Sequence, residues 1–457
     1  MSGNATALLA LRTQEALMRR PTFRYLAALN ESQWASRASL LTLQQQRLNE
    51  LLACALAHSP WHSARLRAHG LAGAIAARRL SREAFCTLPT MTRDDARRHG
   101  DLMVWPAVPG GVQAYSTGGS SGEPLRFYFG RARQAADAAC RLRARSWWGV
   151  APGAREAYLW GAPIELSRSD RLKRLRDRLV NHQLLNAFDI TPARMNGYLA
   201  QLRRWRPASL YGYASSIALF AAHLEAQDED VPLPSLKVVC TTGEPLTDPQ
   251  RALIERVFAV PAATEYGCRD GGLIAHEAPG GGVLVNSEFI LLELLDADGL
   301  PVAPGALGEV VVTNLASFAQ PFIRYRTGDF ARAASGTPAG GQGLEVLAEI
   351  TGRDTDFVIA ADGRVMHALA IIYELRAVPG VAKFRCEQFS REVFEVRIVT
   401  GPGWQAASVD RIRHALAARL GAAVEIRIIQ TPHIPAMASG KERQVISHLP
   451  LSGNWPK

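Results

Sequence analysis

The stretch AYSTGGSSGEPLRFYFG, Ala114 to Gly130, holds the first residues suited to chemistry. Thr117, Gly118, Gly119, Ser120, Ser121 and Gly122 are small, and small residues let backbone N–H groups close on an oxyanion. A nucleotide P-loop would continue with Gly-Lys-Ser/Thr. Here Glu123 and Pro124 follow Gly122, and Arg126 is the cation that could stand in. Read alone, the run is also an ordinary Gly/Ser turn. Five further stretches place polar side chains in or beside turns. They are TTGEPL with Gly243, Glu244 and Pro245; EYGCRD with Tyr266, Gly267 and Asp270; YRTGD with Asp329; TGRDTD with Arg353; and SGKER with Lys441. Each has a plain reading by itself: a strand-ending turn, a core tyrosine, a turn-capping aspartate, a solvated lysine.

The elements that must position these residues follow from periodicity. An apolar stripe through Leu43, Arg47, Leu51 and Ala55 reads as helical from about residue 40 to 80. Thr92 stands as an N-cap before Asp94 and Asp95. Arg131 to Trp148 reads as a helix and EAYLWGAPI as a buried strand. From Ser235 a strand–loop–helix rhythm sets in: LKVVCTTGEPL, QRALIERVF, AATEYGCRDGG. That alternation implies α/β layering. FILLELLDADGLPVAPGALGEVVVTNL then gives two long strands around an Asp-Gly turn, an antiparallel region. After ITGRDTD the chain restarts as a small α+β unit. The expected division is therefore residues 1–351, large and α/β, and residues 352–457, small and α+β.

Composition narrows the class. The chain has 457 residues, too many for one compact core, and 47% hydrophobic and 21% charged residues fit a globular fold. No apolar run reaches the about 20 residues of a membrane span, and the first residues show no secretory leader. Cys54, Cys86, Cys140, Cys240, Cys268 and Cys386 form no CxxC pair, so neither a zinc knuckle nor a disulfide framework is indicated. A reducing cytoplasm is the simplest setting. The net charge of +10 suits a polyanionic partner, but no nucleic-acid motif accompanies it. RSDRLKRLRDRLVNH puts Leu172, Leu175 and Leu179 on one helical face among arginines, a solvated amphipathic helix or a guide for an anionic partner.

Taken in order, TGGSSGEP, TTGEPL, EYGCRD, GEVVV, YRTGD, GRDTD and ASGKER resemble the adenylate-forming superfamily of acyl- and aryl-CoA ligases. LNELLACALAHSPWHSARL and LPTMTRDDAR resemble its phenylacetate–CoA ligase branch and capsule-biosynthesis relatives. The resemblance spans roughly residues 40 to 450. It implies a large α/β adenylation domain with a small mobile C-terminal lid. It also implies a reaction in two halves. A carboxylic acid, aromatic by analogy with that branch, and Mg-ATP give acyl-AMP and pyrophosphate; the thiol of coenzyme A then displaces AMP.

The resemblance also implies roles. The loop Thr117 to Gly122 would embrace the ATP phosphates. Gly243, Glu244 and Pro245 would lie along adenine and Tyr266 would stack on it, with Gly267 beside it. Asp329 would accept both ribose hydroxyls, and Arg353 would sit near ribose and phosphate. Asp270 would ligate Mg²⁺ where most relatives have glutamate, with Glu265 as the neighbouring carboxylate. Lys441 would act on the α-phosphate. Tyr211, Gly212, Tyr213 and Ala214 would line the acyl pocket, and Trp147, Trp148 and Trp160 read as core or pocket wall. Transfer to an acyl carrier protein, an alcohol or an amine remains an alternative, as does a decayed nucleotide-binding protein. Glu123, Asp270 and Thr355 depart from the family pattern, and only His276 stands where some relatives have a zinc cluster, so no structural zinc is expected.

Overall fold

A computed structural model describes residues 2–116, 125–160, 176–186, 192–227, 231–334, 336, 338–353, 357–362, 365–367, 369–434 and 444–449. Its main element is a sheet of eleven strands. In spatial order they are Ile290–Leu295, Leu307–Asn314, Tyr325–Ala333, Val346–Arg353, Val283–Val285, Gly272–Glu277, Ala262–Cys268, Val238–Thr242, Ser209–Tyr213, Glu156–Trp160 and His182–Asn186. The final five pair in parallel. Every other pairing in the sheet is antiparallel. The sheet thus joins the α/β half to the antiparallel region that the strand patterns anticipate.

Parallel strands are covered on both faces and lose the in–out alternation. Ser209–Tyr213 and Val238–Thr242 are buried at every position. On one face, Leu199, Leu202, Phe220 and Ile254 of three helices meet Leu159, Leu210 and Val239. Those helices are Pro192–Trp205, Ala214–Ala226 and Asp248–Phe258. On the other face lies the helix Arg131–Trp147, whose Arg145 guanidinium covers the Tyr211 ring at 4.9 Å. A further helix, Thr22–Ser32, packs Leu26 and Leu29 against Ala136 and Ala139 of that one.

The helical stripe over residues 40 to 80 is three helices: Arg37–His58, Pro60–Ala68 and Ala72–Ala76. Pro60 has no N–H, and its ring would collide with the preceding turn. The chain leaves the helix at Ser59, with φ −114° and ψ 101°, and restarts with Pro60 in the first turn. The stripe keeps its purpose across the break. Leu48, Leu51, Leu52, Leu66 and Ile75 share one buried cluster, and burying each leucine contributes about 1.5–3 kcal/mol. Thr92 does cap Arg93–Met103: its Oγ1 accepts from Asp95 N at 3.1 Å, and its N donates to Asp95 Oδ2 at 2.8 Å.

Beyond the main sheet, the hairpin Phe357–Ile359 and Val365–His367 precedes a four-stranded sheet. That sheet runs Glu425–Gln430, Val393–Thr400, Val381–Gln388 and Val445–Ser447. The helices Leu369–Arg376 and Ala407–Leu420 complete its separate core around Phe394, Val396, Ile412 and Leu416. Gln388 ties the hairpin to this sheet, donating to Ile359 O at 2.7 Å and accepting from Ile359 N at 2.9 Å.

Candidate active site

The Thr-Gly-Asp of YRTGD is a bulge in its strand. Glu309 pairs with Phe330 and Val311 with Arg326, so Thr327, Gly328 and Asp329 stand opposite Val310 alone. Gly328 takes φ +74°, which favours glycine. Thr327 Oγ1 donates to Val310 O at 2.9 Å and accepts from Asp329 N at 3.1 Å. Bulges re-aim side chains, and this one brings the buried Asp329 carboxylate to Tyr266, whose Oη donates to Oδ2 at 3.0 Å. Burial first, and Asp329 second, raise the Tyr266 hydroxyl well above its ordinary pKa. It keeps its proton and remains a donor.

A second pair mirrors the first. Tyr325 Oη donates to Asp270 Oδ2 at 2.6 Å. Burial and Asp270 raise this phenol as well. Tyr266 and Asp270 lie four residues apart in one segment, Tyr325 and Asp329 four apart in the other. Each segment therefore supplies a tyrosine to the other's aspartate. Asp270 Oδ1 accepts from Gly271 N at 3.2 Å.

The turn carrying Asp270 is clamped from three sides. The buried Arg133 donates from Nη1 to Asp270 O at 2.7 Å and from Nη2 to Arg269 O at 2.6 Å. Asn314 Nδ2 donates to Gly271 O at 3.0 Å, and Leu273 N donates to Asp137 Oδ1 at 3.2 Å. Gly272, at φ +107°, has no room for a side chain against Asn314. Arg133 and Asp137 lie one turn apart on the helix that follows the glycine-rich loop.

Glu265, next to Tyr266, is committed elsewhere. Arg141 donates to it twice, from Nε at 3.0 Å and Nη2 at 3.1 Å, and Tyr211 Oη at 2.7 Å. Burial alone would raise this carboxyl; Arg141 above all overrides burial and holds it well below the carboxylate range. The neighbouring carboxylate considered for the metal is thus taken up by a guanidinium.

Tyr211, Gly212, Tyr213 and Ala214 run from the strand Ser209–Tyr213 into the helix Ala214–Ala226. Trp160 stacks on Tyr213, centroids 4.3 Å apart at 19°, and lies 5.6 Å from Tyr211 at 23°. Trp160 is therefore an aromatic wall to these strand ends. Trp147 and Trp148 sit under helix and sheet, donating to Gln33 Oε1 and Glu277 O. Gly243, at φ +75°, ends the neighbouring strand, and a side chain there would press on the Tyr213 ring. Glu244 and Pro245 follow it. Gly267 could not carry a Cβ, which would fall 2.6 Å from Gly272 O. Arg353 is the last residue of its strand, in register opposite Asp329.

Thr117, Gly118, Gly119, Ser120, Ser121 and Gly122 lie outside the described residues, as do Thr355 and Lys441. The loop's flanks form a hairpin, Gln113–Ser116 with Arg126–Phe129. Among the described residues no group of three or more His, Cys, Asp or Glu could hold a metal ion. Mg²⁺, however, is commonly held by one or two carboxylates plus substrate phosphates. A single buried Asp270, each of whose oxygens accepts one hydrogen bond from the described residues, suits that arrangement. Arg133, Asp137, Asn314 and Tyr325 carry no sequence signal of a site role beyond Tyr325's place in YRTGD.

No family model matches the chain. It is 20% identical over 415 residues to Protein CapK of Staphylococcus aureus, covering 90% of each. Over 131 residues it is 36% identical to a phenylacetate-coenzyme A ligase of Aromatoleum evansii, 27% of this chain and 29% of that enzyme. The fold is that of a 2-hydroxyisobutyryl-CoA ligase solved in the postadenylation state with 2-HIB-AMP, at TM-score 0.67 and 20% identity over 88% of each chain.

Proposed function

We propose that the chain is a relative of the phenylacetate–CoA ligases within the adenylate-forming superfamily, and that it activates a carboxylic acid with ATP and passes the acyl group to a thiol. The observation that carries this reading is the crossed pair Tyr266–Asp329 and Tyr325–Asp270. It ties Asp329 to Tyr266 and Tyr325 to Asp270 beside the end of the parallel strand Ala262–Cys268, and strand ends of this kind are the usual ligand end of an α/β sheet.

Asp329, held by Tyr266, accepts the ribose diol, since a carboxylate has oxygens for both hydroxyls. Tyr266 stacks on adenine, with Gly243, Glu244 and Pro245 along the base. Asp270 would hold Mg²⁺ together with the ATP phosphates, where the bound ion would supply charge neutralisation. The glycine-rich loop covers the phosphates through its backbone N–H groups. Lys441 stabilises charge growing on the α-phosphorus as the carboxylate attacks. Acyl-AMP and pyrophosphate result, and coenzyme A is the thiol that then displaces AMP. Residues 352–457 form a mobile lid that carries Lys441 in for the first half and away for the second. Tyr213 and Trp160 support an acid with a flat ring. No helix among the described residues is long and apolar enough to cross a membrane, and a cytoplasmic setting accords with the six free cysteines.

The test is acid-dependent ATP–pyrophosphate exchange across aryl, short-acyl and long-acyl carboxylates, followed by product analysis with coenzyme A. Exchange with at least one acid and formation of its thioester is the expected result. A protein that binds ATP but exchanges with no acid would be a nucleotide-binding relative and not a ligase.

A further inference from the structure

Resting on the reading that Tyr211 to Ala214 face the acyl group, we infer that the acid carries a neutral oxygen acceptor, a hydroxyl, keto or ether oxygen, bound by Arg141. The face of the sheet beneath the helix Arg131–Trp147 has an aromatic part and a charged part. Trp160 and Tyr213 form the first. The second is Glu265, Arg141 and the Tyr211 hydroxyl. Tyr211 joins them: Trp160 lies along its ring, the Arg141 guanidinium lies 5.6 Å from its centroid, and its Oη donates to Glu265.

Within this cluster the exposures differ. The side chain of Glu265 is 3% exposed, and that of Arg145, which pairs with Glu156, is also 3%. That of Arg141 is 38%. Arg141 spends Nε and Nη2 on Glu265, and its Nη1 has no protein acceptor among the described residues. The accessible group is thus a donor, and the matching substrate group is an acceptor. Glu265 already cancels the charge of Arg141. A second carboxylate on the acid would meet Glu265 as a like charge, whereas an uncharged oxygen would not. A purely hydrocarbon acyl group would strip water from Nη1 and return nothing.

The experiment measures ATP–pyrophosphate exchange with matched acids: phenylacetate against 4-hydroxyphenylacetate and 4-carboxyphenylacetate, and a short aliphatic acid against its hydroxy and keto forms. A hydrogen bond to a charged donor corresponds to about 10–100-fold in kcat/KM. The uncharged oxygenated acid of at least one pair is expected to exceed both its parent and its dicarboxylate by that factor. Arg141→Lys should keep part of the preference. Arg141→Met combined with Glu265→Gln, which leaves no lone buried charge, should abolish it while the parent acid is still activated. Equal rates for parent and oxygenated acids, a preference for the dicarboxylate, or a preference surviving in the double variant would each overturn the inference. Exchange with no acid at all would overturn the adenylation reading beneath it, so the two failures are distinguishable.

Discussion

Tyr325 donates to Asp270 at 2.6 Å, the shorter of the two crossed tyrosine–aspartate bonds between the segments Tyr266–Asp270 and Tyr325–Asp329. The two pairs make one unit from strands that are not neighbours in the sheet. Removing any of the four groups should therefore be felt at the other end of the site.

Asp329→Ala should weaken nucleotide binding more than tenfold, because hydrogen bonds to a charged acceptor contribute about 1.5–3 kcal/mol each. Acid affinity should change little. Tyr266→Phe, which removes only the donor to Asp329, should fall between wild type and that variant. Calorimetry with ATP and with the acid separates the cases; unchanged nucleotide affinity in Asp329→Ala would end the ribose assignment.

Asp270→Asn should raise the Mg²⁺ concentration needed for half-maximal adenylation, since an amide oxygen is a poorer ligand for a hard cation. Arg133→Met should do the same without touching the carboxylate. It also leaves Arg269 O and Asp270 O without their donors, at about 1–3 kcal/mol each, which urea unfolding would record. Arg133→Lys should restore part of both. A Mg²⁺ titration unmoved by Asp270→Asn would exclude that carboxylate as ligand.

Lys441→Ala should lower acyl-AMP formation about 10²–10³-fold, the range for losing one electrostatic stabiliser. Supplied with acyl-AMP and coenzyme A, the same variant should form thioester at nearly the wild-type rate. Single-turnover measurements of the two half-reactions check this. Equal loss in both would mean that the lid does not alternate.

His62 bears on acid stability. It is fully buried, Nε2 lies 2.9 Å from Pro321 O, and burial followed by Arg65 pushes its pKa down to about 3. Pro321 O can only accept, so Nε2 carries a proton, and burial keeps the ring neutral by leaving Nδ1 unprotonated. The unfolded chain binds a proton near pH 6.5 and the folded protein does not. Stability is therefore full above pH 6.5 and is lost as pH falls toward 3. Between pH 6.5 and 5 the loss is about 2 kcal/mol. In His62→Met that part of the decline should vanish, whatever the variant's stability at pH 7. Unfolding midpoints at pH 7, 6 and 5 give the comparison.

Much of this site is legible in the chain itself, because its motifs are short and local. Thr-Gly-Asp announces a tight turn before an aspartate, and the structure makes it a bulge. What is not legible is partnership. Nothing between residues 266 and 270 indicates that Tyr325 will donate to Asp270, since that depends on the register of distant strands. Arg133 and Asp137 carry no signal in the sequence; only tertiary packing buries Arg133 and turns its guanidinium onto two carbonyls. The stripe over residues 40 to 80 is half right: Leu51 and Ala55 enter the buried cluster, Arg47 instead donates to Glu288 O, and Pro60, plain in the sequence, decides where the helix stops. The strand Val346–Arg353 carries no such signal, and its place between two distant strands depends on tertiary pairing.

That strand has a consequence for how the protein is made. Val346–Arg353 lies between Tyr325–Ala333 and Val283–Val285. On a ribosome, both flanking strands emerge before the piece that joins them. Until residue 353 is clear of the exit tunnel, the nascent chain carries two open sheet edges, each able to recruit a foreign strand. The interval runs from Ala333 to Arg353, a few seconds of translation at about 5–20 residues per second. A premature stop between residues 334 and 345 would make this interval permanent, leaving a truncated product for aggregation or proteolysis rather than a smaller working protein.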